Sequence, residues 1–196
     1  MTPKTRLESD LLGDIAVPVE VLYGAQTQRA LQNFPLRGER TIGSYPRLVE
    51  GLLLVKQAAA TANLRAGLLE ARQARAIIDA ARRLLEQPRA DQFPVHRLHG
   101  GGGTSAHMNV NEVLANLAEE LLGGARGQYR LIHPNDHVNL HQSTNDVYPT
   151  AGHIAILRQW PHLEQSLDGL IGALLAKANE WSQQPRIART CLQDGV

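Results

Sequence analysis

The chain has 196 residues, 43% of them hydrophobic but only 4% aromatic, so it can bury one core of ordinary size built mainly from aliphatic side chains. Its 20 Lys and Arg residues nearly balance 19 Asp and Glu residues, and a net charge of +1 gives no general attraction for nucleic acid or an anionic membrane. A single cysteine, Cys191, excludes a disulfide within the chain and a zinc site of several thiolates. With neither a secretory signal nor a transmembrane stretch apparent, we expect a soluble, cytoplasmic protein.

The first 45 residues are interrupted by glycine and proline, which predicts turns, short strands and one helical turn around residues 27–33. Beyond them, apolar residues recur at helical spacing. Helices are predicted over 46–65, 70–87, 109–122 and 148–184. Ser44 is the predicted N-cap of the first of these helices, and Gly123-Gly124 ends the third. The apolar stripe of the first comprises Leu48, Leu52, Val55, Ala59 and Ala62.

The predicted helix over 148–184 is unusually long for a small domain, and Pro161 is its one internal disruption. A helix of this length usually packs against partners outside its own domain. We therefore expect its apolar face to drive self-association.

Two polar segments are rich in hydrogen-bond donors without a fixed positive charge. One is the run His141-Gln142-Ser143-Thr144-Asn145-Asp146, and the other is the glycine run 100–103 with Thr104 and Ser105. Such donors suit a small carboxylate whose charge grows during a reaction, and the helix that begins after the glycines favours an anion at its N-terminus. Taken alone, the glycines are equally consistent with a flexible turn, and 143–146 with a helix-capping turn in which Asp146 is the cap. No Lys-Ser or Lys-Thr pair follows the glycines, which argues against a nucleotide site.

Two other patterns suggest chemistry but have simpler explanations. His133, His137 and His141 recur every four residues and would align as metal ligands on a continuous helix, but Pro134 indicates a turn or helix start there. We therefore predict no metal site. Cys191 follows Arg189 and could be a nucleophile, but nothing places a histidine beside it, so a small, semi-buried residue is the preferred interpretation.

Longer segments, in order along almost the whole chain, resemble the aspartase/fumarase superfamily. They are Leu11-Leu12-Gly13, Tyr23-Gly24-Ala25-Gln26-Thr27-Gln28-Arg29-Ala30, Gly101-Gly102-Gly103-Thr104-Ser105, 108–116, 133–139, 142–150, Arg189-Thr190 and Leu192-Gln193-Asp194. The resemblance implies an all-α, mainly helical N-terminal domain over 1–146, with a few short strands or an irregular segment at its start. Residues 147–196 would then begin a central helical bundle.

Members of this superfamily are homotetramers that cleave a C–N or C–O bond and release fumarate. The resemblance therefore implies a small dicarboxylate substrate (aspartate, fumarate or malate), a homo-oligomer that is a tetramer in the intact protein, and no cofactor. Removal of a proton next to a carboxylate turns that carboxylate into a dianionic aci-carboxylate, which preorganised donors stabilise.

Individual site residues follow from the same resemblance. Thr104, Ser143 and Thr144 would bind the carboxylate that gains charge. Asn145, Thr190, Arg29 and Cys191 would hold the rest of the substrate, and a possible second anion site would comprise Arg130, His133, Asn135 and Asp136. Each active site of the superfamily combines regions from three subunits, so Thr104 and Thr190 are expected to complete the 142–146 run from different subunits.

Three positions depart from the superfamily pattern. Cys191 stands where histidine or glutamine is usual, His107 where asparagine is usual, and His99 where glutamine is usual. The catalytic serine loop of the superfamily, with its following lysine and asparagine, would lie beyond Val196. We therefore expect no general base in this chain and no lyase activity from it alone, and a non-catalytic structural fragment is the alternative from another class.

The choice of substrate rests on a few positions. Gly102, Ser105 and Tyr148 match the aspartase forms of the motifs, whereas Arg130 and His133 resemble the second anion site of fumarases. The sequence therefore favours elimination of ammonia from L-aspartate, with hydration of fumarate to L-malate or another fumarate-releasing reaction as the alternative.

Overall fold

The computed structural model describes residues 4–36, 40–99, 101–189, 191–192 and 194–195. The chain divides into two compact units, Met1–Ile156 and Leu157–Val196. The described residues are mainly helical, with a few short strands, which confirms the predicted fold class. The domain boundary predicted between residues 146 and 147 follows the superfamily resemblance and stays a prediction.

A β-hairpin opens the first unit. Strands β1 (Thr5–Asp10) and β2 (Gly13–Pro18) pair antiparallel around a tight turn, where Gly13 has a φ of +102° that favours glycine. Helix α1 (Ala25–Asn33) follows, so the predicted short strands and helical turn are confirmed. The Arg6 guanidinium connects the hairpin to the segment before α1 by donating hydrogen bonds to the carbonyl oxygens of Pro18, Val21 and Tyr23.

Three helices build the core of this unit: α2 (Pro46–Arg65), α3 (Ala71–Glu86) and α4 (Thr104–Leu121). Helix α3 packs against both α2 and α4, and α1 packs against α4. Helix α4 begins five residues earlier than predicted, because Gly103 adopts the left-handed conformation (φ +82°) that ends the glycine loop. The predicted glycine stop is confirmed, since the N–H groups of Gly123 and Gly124 donate to the carbonyls of Glu120 and Glu119.

Two details of α2 correct the sequence predictions. Ser44 is not its N-cap: it belongs to a 3-10 turn, Ile42–Ser44, and Tyr45 precedes the helix without a side-chain cap. Ala62 is exposed, because the buried face of α2 is rotated to carry Lys56 and Asn63 inward. These two polar side chains find hydrogen-bond partners in the segment before α5, which offsets the cost of their burial.

A π-helical turn, Pro134–Val138, leads to helix α5 (Thr144–Glu180). Helix α5 begins four residues before its predicted start, so Asp146 lies in its first turn and is not its cap. The Ser143 hydroxyl accepts from the Asn145 N–H instead. Gly51 of α2 lies against the Ala151 carbonyl of α5, where a Cβ atom would clash, so the two helices approach closely at this point.

The second unit holds the remainder of α5 and two short strands. Helix α5 ends at Glu180, before the predicted residue 184, and Pro161 does not interrupt it. Strands β3 (Ala188–Arg189) and β4 (Asp194–Gly195) pair antiparallel. Large apolar side chains on α5 in this unit are exposed. No helix among the described residues is long and apolar enough to cross a membrane.

Candidate functional site

The structure brings the two donor-rich segments together within one chain. His107, in the first turn of α4, lies with Nδ1 at 2.8 Å from Oγ1 of Thr144, the first residue of α5. Gly103 lies against the ring of Tyr148, where a Cβ atom would clash with the ring carbons. The N-terminal turns of α4 and α5 therefore pack against each other, and the chain does not need another subunit to bring Thr104 near residues 143–145.

The predicted donors at this junction are accessible to a ligand. Thr104, Ser143 and Asn145 are exposed, and Thr144 is half-buried, with its hydroxyl oxygen on His107. The first N–H groups of an α-helix lack partners within the helix, and the helix dipole adds a partial positive charge. Two such N-termini with hydroxyl and amide side chains form an arrangement that can bind a carboxylate without a fixed cation in direct contact.

A buried lysine lies behind this cluster. Lys56 is fully buried, and its Nζ lies 2.6 Å from Nε2 of His107, 3.1 Å from Oδ1 of Asn139 and 2.8 Å from Oε1 of Gln142. Burial lowers the pKa of Lys56 to about 7. The three acceptors match the three N–H donors of an ammonium group.

His107 stands between Lys56 and Thr144 and is also buried. Burial, assisted by the neighbouring charge of Lys56, lowers the pKa of His107 to about 3. The imidazole is therefore neutral at physiological pH, with one nitrogen as a donor and the other as an acceptor.

A second histidine borders the glycine loop. His99 is buried and packs edge-on against the ring of Tyr148, with 6.1 Å between the ring centroids. Its Nδ1 atom has no hydrogen-bond partner among the described residues, and burial lowers its pKa. The two histidines that depart from the superfamily pattern thus both lie beside the junction of α4 and α5.

Arg29 is paired with groups of the β-hairpin. Its guanidinium donates to both carboxylate oxygens of Asp10, at 2.9 and 2.8 Å, and to the carbonyl of Gly13 at 2.8 Å. The hydrogen bond from Arg29 lowers the pKa of Asp10. Among the described residues, the hydrogen bonds of Arg29 go to Asp10 and Gly13 and not to Thr104 or 143–145, so its part in substrate binding stays a prediction.

The predicted second anion site lies around the π-helical turn. Nδ1 of His133 accepts from the Asp136 N–H at 3.2 Å, while Asn135 and Arg130 are exposed. The buried Glu119 carboxylate of α4 fixes the approach to this turn by accepting from the N–H groups of residues 130–132. The turn therefore presents these side chains to solvent, and their role in anion binding stays a prediction.

The histidines spaced by four do not converge. His137 Nδ1 accepts from the backbone N–H of His133, and its Nε2 lies 3.1 Å from the amide nitrogen of Gln73. His141 is exposed and has a φ of +58°, outside any helix. Within the described part of the chain, no group of three His, Cys, Asp or Glu residues is arranged to hold a metal ion.

Two predicted site residues, Thr190 and Cys191, lie near the end of the chain. Thr190 lies outside the described residues. Cys191 is an exposed free thiol, so the expectation of a semi-buried residue is wrong. It lies in a bend between β3 and β4, strands too short to provide a core that would cover it.

Lys56 was not among the residues predicted from the sequence. A signal was available, because Lys56 follows Leu52 by four residues and precedes Asn63 by seven, on the helical face that the structure buries. Lysine is almost never fully buried without partners, so its place on an apolar face points to a specific polar environment. The partners on residues 139 and 142 could not be identified without the fold.

Comparison with known proteins identifies the class to which this arrangement belongs. A family model described as Lyase matches residues 13–196. The chain therefore belongs to the lyase family of the aspartase/fumarase superfamily.

The chain is similar to relatives of two named activities. It is 48% identical over 191 residues to an aspartate ammonia-lyase from Pseudomonas fluorescens, covering 97% of this chain and 40% of that protein. It is also 48% identical over 194 residues to a class II fumarate hydratase from Ralstonia nicotianae, covering 98% of this chain and 41% of that protein. The chain thus spans about two fifths of the length of these relatives.

Solved structures agree with this assignment. A fumarate lyase:delta crystallin from Brucella melitensis bound to cobalt superposes with a TM-score of 0.90 at 44% identity, covering 98% of this chain and 42% of that one. A class II fumarase from Schistosoma mansoni gives a TM-score of 0.86 at 39% identity, covering 98% and 40% respectively.

Proposed function

We propose that this chain is the carboxylate-binding N-terminal part of a fumarate-releasing lyase, most consistent with elimination of ammonia from L-aspartate. The observation that carries this proposal is the contact between His107 and Thr144, which joins the first turns of α4 and α5. The donors there bind the substrate carboxylate and stabilise the additional charge that develops when the neighbouring C–H bond is broken.

In this reaction, Thr104, Ser143 and Thr144 hold the carboxylate that becomes an aci-carboxylate. Asn145 and Thr190, with Arg29 and Cys191, hold the remainder of the substrate. Losing one such donor typically raises the barrier by about 3 kcal/mol. The general base is supplied from outside these 196 residues, as the superfamily resemblance implies, so this chain by itself should show no lyase activity.

Hydration of fumarate is the second candidate. The side chains of Arg130, His133, Asn135 and Asp136 lie on or next to one turn at the surface, an arrangement that resembles the second anion site of fumarases. The chain is equally identical, at 48%, to an aspartate ammonia-lyase and to a class II fumarate hydratase, so sequence identity does not favour one reaction over the other.

The test is fumarate formation by the full-length protein that contains this chain, followed by ultraviolet absorbance with L-aspartate and then with L-malate. Fumarate from L-aspartate supports the ammonia-lyase proposal, and fumarate from L-malate alone replaces it with the hydratase. Fumarate from neither substrate would contradict both.

A matched pair of variants links activity to the site. Thr144→Val removes the hydroxyl but keeps the branched shape, and it should lower kcat by about 100-fold. Thr150→Val is the same substitution at an exposed position later in α5 and should leave kcat unchanged. An equal effect of the two variants would show that the hydroxyl of Thr144 has no special role.

A further inference from the structure

The hydrogen bonds around Lys56 have a fixed direction. The amide nitrogen of Gln142 donates to the carbonyls of Val138 and Leu140, at 2.9 and 3.2 Å, and that of Asn139 donates to the Gln142 carbonyl. Both amide oxygens are therefore turned toward Lys56 and accept from its Nζ. This leaves the third N–H of the ammonium for Nε2 of His107, at 2.6 Å.

That direction determines the tautomer of His107. While Lys56 is protonated, Nε2 accepts from its ammonium group, so the proton of the neutral ring is on Nδ1. Nδ1 lies 2.8 Å from Oγ1 of Thr144 and so donates to that oxygen. A threonine hydroxyl that accepts from one side has its own proton free to donate elsewhere.

We propose that Lys56 and His107 are positioning residues that orient the Thr144 hydroxyl so that it donates its proton to the substrate carboxylate. The inference rests on the proposed function for the identity of the ligand, but the orientation itself rests only on contacts within the chain. Because Thr144 is half-buried, its inner side faces His107 and its outer side is open to a ligand.

The arrangement also places a positive charge close to the carboxylate site while keeping the charged group buried. The ammonium of Lys56 is fully buried, so no substrate carboxylate can pair with it directly. Its charge polarises the hydrogen bonds through His107 to Thr144, and low local dielectric strengthens such a chain of hydrogen bonds. The benefit should be largest where the carboxylate gains charge, which is in the transition state.

The tautomer is tested by nitrogen-15 NMR of this chain labelled at histidine, at a pH about one unit below the Lys56 pKa of about 7. His107→Asn identifies the His107 signals by their loss. The proposal expects the neutral form protonated at Nδ1, and loss of this preference in Lys56→Met. A ring protonated at Nε2, or at both nitrogens, in the unaltered chain would overturn the proposal without any variant.

Lys4→Met is the matched control, because Lys4 is exposed and the substitution is the same. It should leave the His107 signals unchanged. Circular dichroism establishes whether Lys56→Met is folded. A folded Lys56→Met variant that retains the Nδ1 tautomer would overturn the role of Lys56.

Kinetics of the full-length protein provide a second readout. At a pH about one unit below the Lys56 pKa of about 7, Lys56→Met and His107→Asn should each lower kcat by about tenfold or more, with a smaller change in KM, because the oriented donor acts chiefly in the transition state. Unchanged kcat in both variants of an active protein would overturn the proposal. Failure of the unaltered protein to release fumarate would contradict the proposed function instead, and the NMR result would still decide the orientation.

Discussion

At the scale of single residues, Glu112 is a buried carboxylate that accepts several hydrogen bonds from the start of α1. Its buried carboxylate accepts from the N–H groups of Gly24, Gln26 and Thr27 and from the Thr27 hydroxyl, at 2.6 to 3.0 Å. It thereby satisfies the free N–H groups at the start of α1 from a different helix, α4. Burial raises the pKa of Glu112, and these hydrogen bonds oppose the rise.

We expect Glu112→Gln to lower the free energy of unfolding by about 3 kcal/mol, because an amide NH2 group would replace one acceptor facing these donors. Urea unfolding followed by circular dichroism measures the change. Glu120→Gln is the matched control on α4: Glu120 forms a partly exposed ion pair with Arg126, so its loss should cost less than 1 kcal/mol. Equal costs for the two variants would contradict the capping role.

Lys56 should make stability depend on pH. Its pKa is about 7 in the folded chain against an ordinary value of 10.5, so between these values the unfolded chain binds a proton that the folded chain does not. The free energy of unfolding should therefore rise with pH above 7, by at most about 1.4 kcal/mol per pH unit, and fall as pH returns to 7.

Comparison of unaltered and variant chains isolates this contribution from the other titrating groups. Urea unfolding from neutral to moderately alkaline pH should show a shallower rise for Lys56→Met, while Lys4→Met should follow the unaltered chain. A slope in Lys56→Met equal to that of the unaltered chain would show that Lys56 keeps its ordinary pKa.

At the scale of elements, the bounds of α2 were predictable and the full extent of its buried face was not. Apolar spacing with Pro46 at the start located α2 over the observed residues. The same spacing placed Ala62 in the buried face, whereas the structure buries Lys56 and Asn63. Their burial depends on acceptors about 80 residues later in the chain, and no local pattern can supply that information.

In the candidate site, the residues were predictable from sequence motifs, but the tertiary contacts of Arg29 were not. The superfamily motifs indicated Thr104 and Ser143–Asn145, and the described fold brings these segments together through His107 and Tyr148. The ion pair of Arg29 with Asp10 was not predictable, because it joins α1 to the end of β1 through tertiary structure. Thr190 and Cys191 keep their predicted roles as proposals.

The glycine loop permits a test of the close contact between α4 and α5. Gly101 and Gly103 both have positive φ angles, +78° and +82°, but only Gly103 has a neighbour, the Tyr148 ring, where a Cβ would stand. Alanine at either position should cost about 1 kcal/mol for the backbone. Gly103→Ala should cost a further 1 to 3 kcal/mol, roughly the usual cost of overpacking.

Urea unfolding of the two variants measures this difference. In the full-length protein, Gly103→Ala should also raise KM, since moving Tyr148 displaces the N-terminal turn of α5. Gly101→Ala should leave KM near its original value. Equal stability of the two variants would show that the Tyr148 ring moves aside without cost.

At the scale of the whole molecule, α5 exposes a continuous apolar surface. Leu163, Leu167, Leu170 and Leu174 recur at spacings of four and three, so they share one face, and they are 50%, 42%, 55% and 61% exposed. Soluble monomers rarely expose a continuous apolar stripe of this kind. We propose that this face packs against the same face of other copies of this chain.

Self-association is therefore the expected behaviour of this chain in solution. Light scattering or sedimentation at increasing concentration should show species larger than a monomer, and Leu167→Glu with Leu174→Glu should shift them toward monomer by burying charge in the contact. Gln165→Glu adds a carboxylate to the opposite side of α5, about 160° around the helix axis from Leu167, and should leave association unchanged. A strictly monomeric chain at high concentration would contradict the proposed helical assembly, and equal disruption by Gln165→Glu would attribute the effect to net charge and not to the apolar face.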